Sequence, residues 1–167
     1  TVSGGWDSTD MSTQTGKTFY RRNPLILTSY GIFFNTSIVI VTLDNFGVFG
    51  FNSAGIYVSN GCRSHTIKNC DANYNSDGIF MFNTSRHYIE NVNTVANSVG
   101  GIVLSGAESC VLKNIISDCN NIGIDVGYSN SNGSSGGSLS NCKIRGSRTY
   151  GLDMYRAMEV SSYNLEI

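Results

Sequence analysis

The sequence is poor in charged residues, in proline and in long apolar runs. Charged residues make up 14% of the 167 residues and the net charge is −1, so electrostatics argues against a nucleic acid or an anionic membrane surface as the partner. The longest aliphatic block covers only residues 38–41, whereas a membrane helix needs about 20 apolar residues. No segment keeps an apolar period of 3.6 residues. Neither helices nor a membrane span are therefore expected.

What the sequence has instead is a repeat built on glycine and asparagine. A Gly-apolar-x-apolar strand is followed about eleven residues later by an apolar-x-Asn-apolar strand. The glycines that open the first strand are spaced by 24, 23, 23, 22 and 28 residues and are Gly31, Gly55, Gly78, Gly101, Gly123 and Gly151. The second strand contains Asn45, Asn69, Asn91, Asn114 and Asn141. Self-similarity at a period of about 20–30 residues indicates a solenoid.

Short strands at this spacing cannot pair as a series of hairpins, but they can stack as parallel rungs about 4.8 Å apart. The recurring Gly-Ile-x-Val and Ile-x-Asn-Cys/Val motifs resemble those of the right-handed parallel β-helix of the pectate-lyase-like superfamily. The resemblance covers residues 31–167. It implies an all-β fold, a single-stranded right-handed parallel β-helix of about six coils, and the handedness agrees with the rule for parallel crossovers.

A chain of 167 residues has the length of one domain, and we expect one β-helix domain over 1–167. Residues 1–30 are interpreted as an irregular N-terminal coil or cap, in which Trp6 could cover the end of the solenoid. Residues 31–167 form the regular coils. Residues 127–137 are an inserted loop.

Strand alternation predicts which side chains point inward. Three aliphatic stacks are expected: Ile32, Ile56, Ile79, Ile102, Ile124 and Leu152; Phe34, Val58, Met81, Leu104, Val126 and Met154; and Leu43, Ile67, Ile89, Leu112 and Leu139. The asparagines of the second strand, and a further set of Asn52, Asn75, Asn97 and Asn120, are predicted to form structural amide stacks at the corners.

Cysteines and histidines are interpreted as structural. The register of the coils places the five cysteines too far apart to form disulfides with one another. We therefore expect each cysteine to be a small buried hydrophobic residue. No CxxC spacing supports zinc. His65 and His87 should lie one rung apart, and a stack of neutral imidazoles is favoured over a metal or acid–base pair because two ligands are too few. No metal-ligating residue is assigned.

The third residue of each glycine strand is predicted to point outward. These residues are Phe33, Tyr57, Phe80, Val103, Asp125 and Asp153, an aromatic strip that runs into two carboxylates. Aromatic faces beside acids are typical of sugar-binding grooves, so Asp125 and Asp153 are the candidate catalytic residues. The candidate substrate-binding residues are Phe33, Tyr57, Phe80, Tyr128, Arg148 and Arg156. No cofactor is required, although the two carboxylates with oxygens of the 127–137 loop suit Ca2+.

One motif resembles an enzyme signature. Residues 75–79 read Asn-Ser-Asp-Gly-Ile and are similar to the Asn-Thr-Asp-Gly segment of polygalacturonase-type glycosidases, in which the aspartate belongs to the catalytic group. The resemblance ends at Asp77. The next coil has no acid at residues 97–101, and neither Gly-His-Gly nor Arg-Ile-Lys occurs in the chain.

These patterns favour an extracellular or cell-surface β-helix that recognises carbohydrate, with lyase-like or hydrolase-like chemistry left open. The alternative is a non-catalytic structural segment of an adhesin, a phage spike or a filament. The expected partner is a polysaccharide or glycan, not a nucleic acid. Because a solenoid exposes its last rung, the C-terminal end is expected to contact another polypeptide or subunit.

Overall fold

The structure is a computed structural model, and it describes residues 2–3, 17–22, 30–35, 40–127 and 134–167. Within these ranges all the regular secondary structure is β-strand. Trp6 and Tyr128 lie outside the described residues, as does most of the loop expected at 127–137.

Sixteen strands are described. In chain order they are β1 (Val2–Ser3), β2 (Thr18–Arg21), β3 (Tyr30–Phe34), β4 (Thr42–Asp44), β5 (Phe46–Phe49), β6 (Ala54–Val58), β7 (Thr66–Lys68), β8 (Asp71–Asn73), β9 (Asp77–Phe82), β10 (Tyr88–Val95), β11 (Gly100–Ser105), β12 (Glu108–Asp118), β13 (Ile122–Val126), β14 (Ser135–Arg145), β15 (Tyr150–Asp153) and β16 (Met158–Glu166).

The strands form two parallel sheets that wrap one core. Six strands form what we call the glycine sheet, in the order β15-β13-β11-β9-β6-β3, and the other ten form the asparagine sheet. Each strand pairs in parallel with the equivalent strand one coil away. The predicted parallel β-helix is confirmed.

The aliphatic stacks lie in the register that the repeat predicts. Ile79 pairs with Ile56 and Ile102, while Ile89 pairs with Ile67 and Leu112, and all of these side chains are fully buried. Met154 is the exception among the predicted core residues. It follows the last residue of β15, so no neighbouring strand covers it, and its side chain is exposed.

An exposed amide ladder marks the corner inside the asparagine sheet. Its members have φ values between 50° and 66° and are Asn45, Asn69, Asn91, Asn114, Asn141 and Asn164. Asparagine tolerates this left-handed conformation better than most residues. From Asn91 onward each side-chain amide donates to the side-chain oxygen of the asparagine one coil earlier, at 2.9–3.2 Å. The predicted asparagine ladder is therefore confirmed at this corner.

A second, buried ladder lies at the corner that leads into the glycine sheet. The backbone N–H of Asn75 donates to the side-chain oxygen of Asn97, and that of Asn97 donates to Asn120, both at 2.8 Å. The Asn97 amide also donates to the carbonyl of Ala72 at 3.0 Å. Each side chain thus satisfies backbone groups of another coil that a turn would leave unpaired.

Asn52 does not belong to this ladder, so its predicted place there is wrong. The backbone N–H of Phe51 occupies the equivalent position and donates to Asn75 at 2.9 Å. Asn52 is exposed, one residue beyond, and its side-chain oxygen accepts a hydrogen bond from the guanidinium of Arg22.

The histidine column is buried, as expected. The backbone N–H of His65 donates to Nδ1 of His87 at 3.1 Å, and the two rings lie 5.3 Å apart. Burial, followed by the neighbouring His65, lowers the pKa of His87 to about 4. Both side chains are about 1% exposed, and Nδ1 of each accepts a backbone N–H, so they act as interior acceptors rather than as an accessible acid–base pair.

All five cysteines are free thiols, as predicted. Four are buried, but Cys119 is exposed, which corrects the expectation that all five are core residues. It occupies a corner with a φ of 54° and its side chain points away from the core toward Asp118.

At the C-terminal end β16 pairs with β14, and no described strand pairs with its other edge. Met158, Tyr163 and Ile167 are exposed there. The contact with another polypeptide at this end stays a prediction. The structure describes no helix that is long and apolar enough to span a bilayer.

The two ladders give a matched test of what burial adds to an amide. We expect Asn97→Ala to lower the free energy of unfolding by about 4 kcal/mol, because it leaves buried backbone groups without partners. Asn114→Ala should cost about 1 kcal/mol, mainly for alanine in the left-handed region. Urea denaturation at neutral pH measures both, and equal losses would contradict a special role for the buried ladder.

Candidate functional site

The predicted outward column lies in continuous register on the glycine sheet. Cross-coil pairing joins its members in the order Phe33, Tyr57, Phe80, Val103, Asp125 and Asp153. Phe33, Tyr57 and Phe80 are the fourth residues of β3, β6 and β9, so the alternation of a strand places them on one face. The register of the column is therefore the one that the sequence predicts.

The aromatic part of this column is wider than the sequence suggested. We define the aromatic strip as Tyr30, Phe33, Tyr57, Phe80 and Phe82. Tyr57 lies 5.4 Å from both Phe33 and Phe80 between ring centroids, and Tyr30 lies 4.5 Å from Tyr57. Phe82 could have been found because it follows Phe80 by two residues on the same face. Tyr30 has no such spacing.

The rings of the strip stack on one another. The planes of Tyr57 and Phe80 are inclined by only 13°, so each covers part of the other's face. Phe33, at the end of the stack, is about half exposed. A ligand would therefore meet the outer edges of the rings and the free surface of Phe33 rather than a row of open faces.

Beyond its aromatic residues, the next two members of the column are buried. Val103 is 3% exposed and Asp125 is 2% exposed, which corrects the expectation that the third residue of each glycine strand faces solvent. Val103 packs over Gly100, where a Cβ atom would meet its methyl group at 2.3 Å. The missing side chain of Gly100 thus lets the column sink below the surface of the sheet.

This depression forms a small pocket with a carboxyl group on each side. We call it the acid pocket; its volume is about 80 Å³, and its lining residues are Asp77, Phe80, Val99, Gly100, Val103, Ile122 and Asp125. Asp77 comes from β9 and Asp125 from β13, two coils further on. A volume of this size holds one or two water molecules.

Asp77 has an unusual electrostatic environment. Its Oδ1 atom is buried without a hydrogen-bond partner. Burial raises the pKa of this carboxyl to about 6, and the backbone N–H of Gly100 offsets the effect only in part. With a pKa of about 6, this carboxyl keeps its proton in mildly acidic solution and can donate it there.

The motif at residues 75–79 singles out Asp77, but no pattern in the sequence places it in one pocket with Asp125. The two residues are three positions and two coils apart, because Asp77 pairs with Gly100 whereas Asp125 pairs with Val103. Column-by-column reading cannot find such a diagonal pair. The sequence feature that could have indicated the pocket is the run of small or apolar residues between the two aspartates, because these residues leave the pocket open.

The remaining predicted site residues lie away from the acid pocket. Asp153 is the cross-coil partner of Asp125, and its Oδ1 accepts the backbone N–H of Tyr155 at 3.1 Å. Arg148 is exposed at the corner before β15, and Arg156 lies over the ring of Tyr155 at 5.2 Å. Among the described ion pairs, neither arginine contacts Asp153.

The calcium expectation stays a prediction. In the part of the chain that the structure describes, no three His, Cys, Asp or Glu side chains form a group that could hold a metal ion. The expected additional oxygens come from the 127–137 loop, of which residues 128–133 are outside the description. Asp125 and Asp153 alone would be too few ligands for Ca2+.

A family model described as a right-handed β-helix region matches residues 30–166. No curated protein is similar enough in sequence to match this chain. Three crystal structures of the periplasmic alginate epimerase AlgG, two of them of mutants, are similar in fold, with a TM-score of 0.72 and 11% identity over 89% of this chain. This chain spans 38% of the length of that enzyme's chain. At this identity the likeness shows the fold alone.

The raised pKa of Asp77 predicts the direction in which the stability of the fold changes with pH. Because the folded protein binds this proton more tightly than the unfolded chain, whose aspartates have a pKa of 3.8, ionised Asp77 destabilises the fold above pH about 6. We expect Asp77→Asn to be more stable than the parent at pH 7. The difference should shrink as the pH falls below 6 and vanish near pH 4.

Urea denaturation at several pH values, taken as the difference between the two proteins, measures this effect. His87, whose low pKa makes the fold less stable as the pH falls from 6.5 toward 4, contributes equally to both and cancels. A difference that stays constant from pH 4 to 7 would refute the assignment.

Proposed function

The chain belongs to the right-handed β-helix family, and from that premise we propose that it binds a polysaccharide along the outer face of the glycine sheet. The observation that carries the proposal is that the aromatic strip and the acid pocket occupy one face in consecutive coils. Rigid strands present both at fixed spacing. Apolar ring edges beside hydrogen-bonding carboxyls suit the mixed surface of a sugar.

The direction of the ligand follows from the same geometry. Phe33 and Asp125 are four coils apart in one column, which corresponds to about 19 Å at about 4.8 Å a rung. A linear chain lying along the helix axis could contact the strip at one end and the acid pocket at the other. An isolated monosaccharide could not.

Chemistry in the acid pocket is a second proposal, and the raised pKa of Asp77, which lets it keep a proton in mildly acidic solution, favours it. In a hydrolysis, Asp77 would give its proton to the glycosidic oxygen while the bond from that oxygen to the sugar carbon breaks. A water in the pocket would form the new bond to that carbon and lose its proton to Asp125. Asp153 would lie one rung from that carboxylate, in the same column. The room for water favours hydrolysis over a lyase elimination.

An extracellular or cell-surface location is part of the proposal. A polysaccharide ligand of this length is met outside the cytoplasm, and the structurally similar alginate epimerase is described as periplasmic. That enzyme's action on alginate is its own property. For this chain it supports only the idea that such a fold suits a polysaccharide.

A purely structural role is the competing proposal. The stacked rings of Tyr57 and Phe80 would also stabilise successive coils by covering each other, with no ligand at all. In that case the strip is the side of a rod, as in an adhesin, spike or filament segment. The two proposals differ in what removal of a ring does to binding as opposed to stability.

Ring-removal variants test the binding proposal. For an oligosaccharide that the parent protein binds, Tyr57→Ala and Phe80→Ala should each weaken the affinity about tenfold. This corresponds to a loss of about 1.4 kcal/mol of binding free energy. Titration calorimetry against a panel of acidic and neutral oligosaccharides measures this. Tyr163→Ala, which removes an exposed ring on β16, is the matched control and should bind like the parent. Variants that lose stability yet keep the parent's binding would favour the structural role.

Acid-pocket variants test the chemistry separately. Asp77→Asn and Asp125→Asn should abolish product release from a cleaved polysaccharide while leaving its binding within about threefold of the parent, since Asn keeps the size of each side chain. Asp153→Asn should only slow the reaction. Parent protein that binds the polysaccharide but releases no product over days would reject the hydrolysis and keep the binding proposal.

A further inference from the structure

A second groove lies on a different side of the β-helix, at the corner that leads from the asparagine sheet to the glycine sheet. It consists of two adjoining cavities of about 390 and 330 Å³ that share Gly50 and Tyr74. The first also contains Asn52 and Ser98, and the second contains Arg21. Neither contains any residue of the aromatic strip or the acid pocket.

Tyr74 stands at a position where the repeat uses small residues. The equivalent corner of each coil has a positive φ, and the residues there are Gly50, Tyr74, Ala96, Cys119 and Gly146, with φ values of 82°, 59°, 55°, 54° and 59°. A bulky aromatic residue in the left-handed region is strained. The fold requires the positive φ at this corner but not a bulky side chain, so the tyrosine points to a functional role.

The Tyr74 ring is also left open. It is 66% exposed, and it takes part in none of the described ring pairs, in contrast to Tyr57 and Phe80. A free aromatic face is the surface on which the apolar face of a sugar ring stacks. Tyr74 therefore offers an open ring face, whereas Tyr57 and Phe80 of the aromatic strip cover each other.

Two arginines, Arg21 and Arg22, line the second cavity together with this ring. Arg21 lies over the ring of Phe49 at 5.4 Å, and Arg22 donates to the side-chain oxygen of Asn52. These contacts hold the two guanidinium groups on the wall of the groove. Arginine recognises carboxylate and sulfate groups through paired hydrogen bonds.

No acidic residue lines either cavity. The nearby Asp71 is already paired with Lys17 at 2.8 Å. The groove is thus locally positive, although the net charge of the chain is −1. Two arginines and one ring are too few for a nucleic acid, whose binding requires a longer run of phosphate contacts.

We propose that Tyr74, Arg21 and Arg22 form a site for an acidic oligosaccharide, in which a sugar ring stacks on Tyr74 and its carboxylate or sulfate group meets the arginines. The inference rests on the proposed function in that the ligand is a glycan, but it uses a separate surface. Asn52 is a positioning residue, because it holds Arg22 rather than facing the anion directly.

Four probes of equal length test the proposal: a hexameric galacturonate, its full methyl ester, a sulfated glucan hexamer and a single-stranded RNA hexamer. Titration calorimetry at two salt concentrations should give at least tenfold tighter binding of the galacturonate or the sulfated hexamer than of the neutral ester. Added salt should reduce that difference. Whichever anion binds more tightly identifies the acidic group.

Tyr74→Ala and Arg21→Gln should each weaken binding of the acidic hexamer about tenfold. Both should fold, since Ala96 occupies the same corner one coil on and Arg21 is exposed. Tyr163→Ala and Arg86→Gln, which change exposed residues outside the groove, are the matched controls and should bind like the parent.

Three results would overturn the proposal: equal affinity for the acid and its ester, parent-like binding by both groove variants, or tighter binding of the RNA than of either acidic glycan. Tyr57→Ala separates this proposal from the function proposed above. If Tyr57→Ala weakens binding and the groove variants do not, only the present inference fails. If the reverse holds, the glycan binds at the groove and the aromatic strip is structural.

Discussion

The buried amide ladder of Asn75, Asn97 and Asn120 is the interaction on which the rest of the structure depends. A coil of 22–24 residues must turn sharply around a buried hydrophobic core, and each turn leaves backbone groups without strand partners. The ladder supplies those partners from another coil. Because each amide bridges coils, it also fixes how the coils stack, and the register of both sheets follows.

Charge on the outer face of the asparagine sheet supports the same register. The aligned residues Asp44, Lys68, Glu90 and Lys113 alternate in sign, and Lys68–Asp44 and Lys113–Glu90 pair at 3.2 and 2.8 Å. Each exposed pair contributes little to stability. A slip by one coil in a domain-swapped or misfolded chain, however, would place like charges together, so the pattern acts on specificity more than on strength.

The sequence allowed the fold to be predicted because a solenoid repeats the same local problem in every coil. Each repeat of Gly, Ile and Asn carries the same information, so single errors do not accumulate. The errors concern places where the period is interrupted: Asn52 is one residue out of register, and Met154 lies just past the end of β15. The burial of Asp125 depends on contacts across coils that no period describes, and so does its position in one pocket with Asp77.

The same regularity explains why function was harder to predict than fold. In a repeat, the fold explains a residue that resembles the equivalent residues of the other coils. Only a residue that differs from them needs another explanation. Asp125 follows Phe80 and Val103 in a column that starts with aromatic residues, and Tyr74 stands among Gly, Ala and Cys. Each departure carries a cost, a buried carboxyl in one case and a strained backbone in the other. Both lie in the wall of a cavity, where a ligand could offset that cost, so they are where function is to be sought on this rod.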